Sequence, residues 1–569
     1  MINKPLGSVI QGSLTQGLEV RLHPDVSVED MRVGKFLVVK GWRADFFCML
    51  TDVSLGTSSL RIMANPPHPD DDFLQEVLAG SSTYGTIELA PMLMLIREAR
   101  SPTQQLIPSQ ERASLASFQV QTSADLQLMP VKTIPSHFAQ VYDAAEQDFR
   151  AVFGWEDDPT RLNFAIGKPL DMEVPVCLDL NRFVERSNGV FGKSGTGKSF
   201  LTRLLLSGII RRNAAVNLIF DMHSEYGWEA VREGKDYSTV KGLRQLFPNL
   251  VQVYTLDPQS TKRRGVHDAQ ELYVSYEQIE VEDIKLVGKE LNISEASVDN
   301  ANILYGEFGS SWIVQLLNMT NEEIQTFCDQ KRGHKGSIMA LQRKLLRLDN
   351  LQYMRPACPK NYINQILQCL EAGKHVVIEF GSQSDMLSYM LVTNMIARRI
   401  HKAYVHKAEK FLQSKNPCDR PHPLVITIEE AHRFLDPAVV QSTIFGTIAR
   451  EMRKYFVTLL VVDQRPSGID NEVMSQIGTR ITALLNDEKD IDAIFTGVSG
   501  AGNLRSVLAK LDSKQQALIL GHAVPMPVVV RTRPYDETFY AEIGDTSWSQ
   551  MPDAELFAAA AAAKADLGF

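Results

Sequence analysis

A glycine-rich run over residues 189–200, GVFGKSGTGKSF, has the residue types and spacing needed to hold a chain of phosphates. It satisfies the pattern G-x-x-x-x-G-K-[ST], in which glycines let successive backbone N–H groups turn towards phosphate oxygens. The amphipathic segment that follows, KSFLTRLLLSGII, would point the positive end of a helix at the same oxygens. The candidate phosphate-binding residues are Gly192, Ser194, Gly195, Thr196, Gly197, Lys198, Ser199 and Phe200. We expect Lys198 to reach the β and γ phosphates and Ser199 to ligate Mg²⁺.

Acidic side chains stand at the ends of two later apolar runs, where open parallel sheets place their sites. PLVITIEEAHRFL ends in Glu429, expected to hold the Mg²⁺ shell, and in Glu430, expected to polarise the attacking water; an ordinary surface turn is the alternative. NLIFDMHSEYG supplies Asp221 and Glu225 as further catalytic candidates. Asp at a strand end also commonly caps the next helix, so a purely structural role for Asp221 stays open.

Two arginines and a glutamine follow in the run IAREMRKYFVTLLVVDQRPSGI. Arg450 and Arg453 are one helical turn apart, so one of them could reach the nucleotide of a neighbouring subunit; a solvated helix face is the alternative. Gln464 comes directly after the next strand, where it could sense a γ-phosphate.

Composition excludes few classes of protein. The 569 residues carry a formal net charge of −9, which argues against a generally basic coat but leaves room for a basic channel. The six cysteines form no CxxC pair, as in reduced cytosolic proteins. Neither a signal sequence nor an apolar run of membrane-spanning length is present, so we expect a cytoplasmic protein without a membrane partner.

The patterning predicts an α/β protein behind a small all-β domain. Short strands between turns run from residue 7 to about 96, and then TIPSHFAQVYDAAEQDFRAVFGW reads as one helix capped by Ser136. From residue 181 apolar strands alternate with helices, which indicates a parallel sheet covered on both faces. Thr320 and Glu323 have the spacing of a capping box within a charged, helical stretch. The predicted parts are a barrel over 1–110, a linker with a helix over 111–180, a core over 181–229 and 366–545, a helical insertion over 230–365 and a helical tail over 546–569.

These segments together resemble the HerA family of hexameric DNA translocases, within the wider group that contains FtsK and the conjugation ATPases. The resemblance rests on GKSGTGKS, DMHSEY, EEAHRFL and REMRKYFVTLLVVDQRPSGID with MSQIGTRI behind it, and it covers most of the chain. It implies a RecA-like P-loop ATPase core, a HerA-type barrel, and ATP and Mg²⁺ as cofactors. It also implies the following roles: Lys198 and Ser199 as phosphate and Mg²⁺ ligands, Glu430 as the catalytic carboxylate, Gln464 as the sensor, and Arg453, then Arg450, as the arginine supplied in trans.

Two departures from the family pattern concern this site. Glu429 stands where the family often has Asp, and the extra methylene could make its Mg²⁺ contact indirect. DMHSEY replaces the more usual D-P-H-G-E-Y, so its turn is less rigid.

The resemblance further implies a homohexamer, double-stranded DNA, and a NurA-like nuclease or other defence effector docked on the barrel. Lys331, Arg332 and Lys335 in QKRGHKG are candidate DNA contacts, although most basic clusters are merely solvated. Arg531 and Arg533 could approach phosphates or form structural salt bridges. A ring that only assembles and regulates an effector is the alternative to a translocase, and neither repair nor phage defence is favoured.

Overall fold

The structure is a computed structural model, and it does not describe every residue. It describes residues 4–58, 82–97, 126–231, 239–266, 268–331, 333–358, 360–498, 501–512 and 515–544, together with His68, Asp70, Asp71, Phe73, Val77 and Leu78. The predicted C-terminal helical tail over 546–569 lies outside these residues. None of the helices in the described ranges is long and apolar enough to cross a membrane.

The N-terminal domain is a closed barrel of six antiparallel strands with a seventh strand on its rim. Its strands are β1 Gly7–Ser13, β2 Gly17–Leu22, β3 Phe36–Lys40, β4 Ala44–Thr57, β5 Thr83–Arg97, β6 Leu126–Pro130 and β7 Gln140–Asp143. Their order is β2-β1-β7-β3-β4-β5, and a further pairing of β2 with β5 closes the ring, while β6 extends β5 on the outside. Closure removes the exposed strand edges that an open sheet would present. The predicted barrel is therefore confirmed.

The predicted helix over TIPSHFAQVYDAAEQDFRAVFGW is wrong in its first half. Residues 140–143 form β7, which pairs with β1 and β3, and only Glu146–Phe153 is helical. The barrel needs this strand to close, so pairing overrides the helical spacing of the apolar residues. The barrel thus takes a strand from beyond the range 1–110.

A second sheet of twelve strands forms the body of the protein, with two short ladders beside it. The strands, including those of the ladders, are β8 Asn163–Lys168, β9 Val176–Asp179, β10 Asn188–Phe191, β11 Val216–Asp221, β12 Ala230–Val231, β13 Thr239–Val240, β14 Val251–Thr255, β15 Gln270–Glu271, β16 Val274–Ser275, β17 Met354–Arg355, β18 His375–Glu379, β19 Leu424–Glu429, β20 Val457–Asp463, β21 Thr479–Thr482, β22 Gln516–Gly521 and β23 Val528–Thr532. The sheet order is β15-β14-β18-β11-β19-β20-β10-β21-β22-β23-β8-β9.

The strands from β15 to β21 are parallel, and those from β22 to β9 are antiparallel. The central parallel strands β10, β11, β18, β19 and β20 are buried on both faces, as their continuous apolar sequences predict. Four strands lie outside the expected pattern. The strands β8 and β9 come from the predicted linker, whereas β14 and β15 come from the predicted insertion and extend the sheet. The insertion is therefore not wholly helical.

Helices flank the sheet and fill the insertion. Their bounds are α1 Glu146–Phe153, α2 Leu180–Val184, α3 Lys198–Arg211, α4 Leu243–Leu246, α5 Pro258–Arg263, α6 Val281–Leu286, α7 Glu295–Phe308, α8 Trp312–Asn318, α9 Asn321–Lys331, α10 Lys335–Leu345, α11 Tyr362–Glu371, α12 Met386–Ser414, α13 His432–Leu435, α14 Ile444–Glu451, α15 Asn471–Gln476, α16 Glu488–Ile494, α17 Ala501–Ala509 and α18 Glu537–Gly544. The predicted capping box is present before α9, because Glu323 N–H donates to Thr320 Oγ1 (3.3 Å) and Thr320 N–H donates to Glu323 Oε2 (2.8 Å).

An aromatic cluster joins the barrel to the body of the protein. Phe149 on α1 packs edge-on against Phe36 and Phe47 of the barrel, with ring centroids 5.6 and 5.4 Å apart. All three rings belong to the same buried core as the strands of the large sheet. The helix α1 therefore fixes the barrel against the sheet.

We expect Phe149→Ala to lower the free energy of unfolding by about 3–5 kcal/mol, because it removes a fully buried ring and leaves a cavity. Denaturant unfolding followed by tryptophan fluorescence measures the change. Phe138→Ala is the matched control, since the Phe138 side chain is 72% exposed, and it should leave the free energy within about 0.5 kcal/mol of wild type. Equal effects of the two substitutions would contradict the assignment of Phe149 to the joint.

Candidate active site

The sheet order brings the predicted site residues to one edge. The glycine-rich loop follows β10, Gln464 follows β20, and the acidic pair ends β19. Because β20 lies between β10 and β19, and all three strands are parallel, their carboxyl ends meet at the same edge. This is where an open α/β sheet places its ligands.

The glycine-rich loop is tied to the strands on both sides of β10. The backbone N–H of Gly192 donates to the Asp463 carbonyl (3.3 Å) and that of Lys193 to the Leu484 carbonyl (3.0 Å). A Cβ at Gly192 would lie 2.8 Å from Thr196 Oγ1, so the loop needs glycine at this position. The loop thus has the fixed backbone that a phosphate cradle requires.

Gly197 and Lys198 connect the loop to α3. Gly197 caps the helix with a φ of 95°, and Lys198 is its first residue. The Lys198 ammonium donates to the Lys193 carbonyl (3.0 Å), which places it against the loop itself. Burial lowers the pKa of Lys198, and the nearby carboxylates, Glu430 foremost among them, partly offset that effect. A cation in contact with the loop and at the start of a helix suits a polyphosphate.

Glu429 is a buried carboxylate with one unpartnered oxygen. Its Oε1 accepts a hydrogen bond from the Tyr226 hydroxyl (3.0 Å), while Oε2 is buried without a hydrogen-bond partner among the described residues. Burial raises its pKa well above the usual range, and the charges of Asp221 and Glu225 raise it further. A free carboxylate oxygen beside a phosphate cradle fits a hard divalent cation such as Mg²⁺, and Ser199, the second residue of α3, is the other expected ligand.

Glu430 and Gln464, predicted from separate segments, are in contact. The Gln464 side-chain amide donates to Glu430 Oε1 (3.1 Å). Glu430 has a φ of 46°, a backbone conformation that is strained for a residue with a side chain. The pair has the groups needed to orient a water molecule: a half-buried carboxylate and an amide that holds it.

His432 and Asp463 support this pair, and the sequence analysis assigned them no role. Asp463 is buried and accepts hydrogen bonds from the backbone N–H (2.6 Å) and Nδ1 (2.9 Å) of His432 and from the backbone N–H of Arg465 (2.7 Å). The hydrogen bond to Asp463 raises the pKa of His432. The histidine of EEAHRFL could have suggested such a contact, but only the adjacency of β19 and β20 identifies its partner.

Asp221 is not placed to act on a substrate, which corrects the prediction of a catalytic role. Its carboxylate is fully buried and accepts backbone N–H groups from Glu225 (2.7 Å), Tyr226 (2.8 Å) and Gly227 (3.1 Å). Burial and the charge of Glu379 raise its pKa to about 7. Asp221 therefore shapes the turn after β11. Glu225 stays a candidate, because its side chain is only partly buried and its charge acts on both Lys198 and Glu429.

Arg450 lies at the end of α14 with most of its side chain covered. Its Nε is 3.6 Å from Glu472 Oε2, and Nε and Nη2 have no hydrogen-bond partner within the described chain. The side chain of Arg453 lies outside the described residues, so its predicted role stays a prediction.

Most of the remaining basic candidates are paired or lie outside the described residues. Lys331 forms an ion pair with Glu307 (2.6 Å), Arg332 is not among the described residues, and Lys335 begins α10. Arg531 pairs with Glu173, and Arg533 pairs with Glu156 and Glu542. For these last two arginines the salt-bridge alternative is correct.

We expect Asp221→Asn to destabilise the protein by about 1–3 kcal/mol in the absence of any ligand, because an amide cannot accept three N–H groups and leaves buried donors unpaired. Thermal melting of the ligand-free protein measures the change. Glu430→Gln is the control: its side chain is partly exposed and still offers an oxygen to Gln464, so it should melt with wild type. An unchanged melting temperature for Asp221→Asn would contradict the structural role.

Comparison with known proteins agrees with this arrangement. Residues 6–100 match the HAS barrel domain family, and residues 164–400 match the family described as the central domain of helicase HerA. The chain is 23% identical to the DNA double-strand break repair helicase HerA of Pyrococcus furiosus, over 72% of this chain and 76% of that protein. For the DNA double-strand break repair helicase HerA of Saccharolobus solfataricus the identity is 25%, over 73% of this chain and 77% of that protein.

Among solved structures, VirB4 of Thermoanaerobacter pseudethanolicus aligns with a TM-score of 0.41 and 13% identity, over 68% of this chain and 98% of that chain. The two domain families match most of the barrel and the segment from β8 to the middle of α12, in the order in which they occur here. The chain therefore carries a HAS barrel domain followed by a central domain of the helicase HerA family, with the phosphate-binding loop of a P-loop ATPase.

Proposed function

We propose that the protein is an ATP-driven translocase or helicase that works on double-stranded DNA as a homohexameric ring. The observation that carries the proposal is the contact between Glu430 and Gln464 at the edge that also holds the glycine-rich loop and Lys198. A loop alone binds nucleotide, whereas hydrolysis needs a group that orients water and groups that stabilise the transition-state charge.

Each residue at this edge has a distinct part in the proposed reaction. The loop N–H groups and Lys198 hold the phosphates and balance the charge that develops on the γ-phosphoryl oxygens. Glu430 orients the attacking water and accepts its proton, while Gln464 holds the Glu430 carboxylate and lies beside the terminal phosphate. Mg²⁺, when bound through Ser199 and Glu429, would neutralise phosphate charge. Burial lowers the pKa of Lys198, and Glu225 adds to the charges of Glu430, Asp463 and Glu429 that oppose this effect.

A neighbouring copy of the chain would complete the site. Arg450 has two guanidinium nitrogens without hydrogen-bond partners in the described part of the chain, and Arg453 comes one helical turn later. An arginine supplied in trans can contribute about 10³ to 10⁵ in rate, and it couples hydrolysis in one subunit to its neighbour's position. This coupling favours a closed ring of copies, and the resemblance to the HerA family implies that there are six.

DNA is the proposed substrate because the relatives that cover most of this chain are named as DNA double-strand break repair helicases. A net charge of −9 requires that basic contacts be confined to a channel, where backbone phosphates are bound without reading sequence. The loop between α9 and α10, with Lys331, Arg332 and Lys335, is the proposed contact. The ion pair of Lys331 with Glu307 would have to open on binding.

We further propose a protein partner on the barrel, of the nuclease class or another effector that acts on the DNA delivered by the ring. Trp42 and Phe138 are large side chains that the barrel leaves 94% and 72% exposed, and both line one surface depression with Lys40 and Tyr142. Exposed aromatic groups of this kind mark protein contacts more often than ordinary surface. Both DNA end repair and defence against phage fit such a partner.

Translocation is tested by displacement of a triplex-forming strand from double-stranded DNA. We expect wild-type protein with ATP to displace the strand, and Glu430→Gln to lose about 10² to 10⁴ in ATP turnover and all displacement. ADP binding should persist in this variant because Lys198 and the loop are intact. Effector activity retained by Glu430→Gln would favour a ring that only assembles and regulates an effector, and failure of wild-type protein with ATP to displace the strand would contradict a motor.

The ring is tested by mass and by complementation. Multi-angle light scattering with nucleotide and Mg²⁺ should give six times 63.7 kDa. We expect Arg450→Ala with Arg453→Ala to retain ADP binding and lose about 10³ in ATP turnover. Mixing this double variant with Lys198→Ala subunits should restore part of the turnover, since some interfaces then combine an intact loop with intact arginines. Full turnover by separate single chains would contradict the proposal.

A further inference from the structure

The main chain at Glu429 is fixed by a tyrosine from a distant helix. The hydroxyl of Tyr389, near the start of α12, accepts a hydrogen bond from the Glu429 backbone N–H and donates one to the Glu429 carbonyl, each 2.9 Å long. Tyr389 is fully buried, so both bonds are shielded from water. The position of the Glu429 Cα is therefore set independently of its side chain.

The side chain of Glu429 is held by a second tyrosine. The Tyr226 hydroxyl donates to Glu429 Oε1 (3.0 Å), and the Tyr226 ring is fully buried. Tyr226 is itself anchored, because its backbone N–H donates to Asp221 Oδ2 (2.8 Å) in the turn after β11. The backbone of Tyr226 is therefore fixed, and its hydroxyl contacts Glu429 from a defined position.

These contacts leave the two carboxylate oxygens of Glu429 in different situations. Oε1 is bonded to Tyr226, and Oε2 is buried without a hydrogen-bond partner in the described ranges. A glutamate has one more rotatable bond than an aspartate, so at the end of a strand its carboxylate has more orientations available. A hydrogen bond to one oxygen selects among these orientations and, with them, the direction of the other oxygen.

We propose that Tyr226 is a positioning residue that turns Glu429 Oε2 towards the divalent cation accompanying the nucleotide. The inference rests on the proposed ATPase function and adds to it a residue that contacts neither nucleotide nor cation. It also gives the turn DMHSEY a role. Asp221 stabilises the turn by accepting backbone hydrogen bonds, and the turn places the Tyr226 hydroxyl next to Glu429. The longer side chain at position 429 then acts as a direct ligand because its orientation is fixed.

The experiment compares binding of the fluorescent nucleotide mant-ADP with and without Mg²⁺, using the full chain. Tyr226→Phe keeps the buried ring and removes only the hydroxyl. We expect its affinity without Mg²⁺ to equal that of wild type, and the gain in affinity on adding Mg²⁺ to fall about tenfold, equivalent to about 1.4 kcal/mol. A role confined to packing would leave this gain unchanged, since phenylalanine fills the same space.

Tyr404→Phe is the matched control. Like Tyr226, Tyr404 is a buried tyrosine, and it lies on α12. At about 1.5 Å per residue it is roughly 22 Å along the helix from Tyr389, which contacts Glu429. We expect this variant to keep the full Mg²⁺-dependent gain. A loss as large as that of Tyr226→Phe would overturn the inference.

A double-mutant cycle tests whether Tyr226 acts through Glu429. In a Glu429→Gln background, Tyr226→Phe should cause no further loss of the Mg²⁺-dependent gain, because the oriented oxygen is no longer a carboxylate. Additive losses, a Tyr226→Phe protein that does not fold, or an unchanged gain in the single variant would each overturn the inference while leaving the proposed ATPase intact. A wild-type chain whose mant-ADP affinity does not respond to Mg²⁺ would overturn both.

Discussion

A carboxylate that stays in the interior of a protein must be held by donors or by a cation, and Glu429 is the buried carboxyl group on which this site depends. Moving an ionised carboxylate out of water costs several kcal/mol unless hydrogen bonds or opposite charges replace the solvent. Here the Tyr226 hydroxyl, from the turn after β11, donates to one oxygen of the Glu429 carboxylate, while the Tyr389 hydroxyl, from the start of α12, holds the Glu429 main chain. Only one oxygen is left for a ligand, so the packing around the strand end defines the direction from which a cation can be bound.

The cost of moving an ionised carboxylate out of water also explains how the neighbouring acidic residues are paired. Asp221, Glu379 and Glu429 end the adjacent strands β11, β18 and β19, and all three are buried. The Asp221 carboxylate accepts hydrogen bonds from three backbone N–H groups, and the Glu379 carboxylate forms an ion pair with Arg264 at 2.7 Å. Glu429 alone among the three has an oxygen with neither a hydrogen-bond partner nor an ion-pair partner among the described residues. A row of acids at one edge thus divides into two that stabilise the fold and one available for binding.

The sequence predicts those parts of the molecule in which local pattern and chemistry agree. The phosphate loop, the strands β10, β11 and β18 to β23, and the closed barrel follow from glycine spacing and from apolar runs. The sequence does not predict strand β7, because the spacing of its apolar residues also suits a helix. Pairing with β1 and β3 in the barrel makes this segment a strand. The strand β14 lies in a charged stretch whose overall character is helical.

Within the site, sequence reasoning finds the residues but not their contacts. Glu430 and Gln464 are predicted for their types and strand-end positions, and the structure brings them together. Asp221 has the same strand-end position, yet its role depends on the backbone N–H groups of a turn that no residue pattern reveals. Tyr389 is 40 positions from Glu429 in the chain and carries no motif, so only the packed structure identifies it.

Asp463 joins the loops that follow two adjacent strands. Its carboxylate accepts hydrogen bonds from the backbone N–H of His432, after β19, and from that of Arg465, after β20. Glu430 and Gln464, which contact each other, lie in these same two loops. Glu430 and Gln464 therefore lie in backbone segments that are anchored by the same buried carboxylate. In the proposed reaction, a movement of either segment would be transmitted through Asp463 to the other, which would link the group that orients water to the group beside the terminal phosphate.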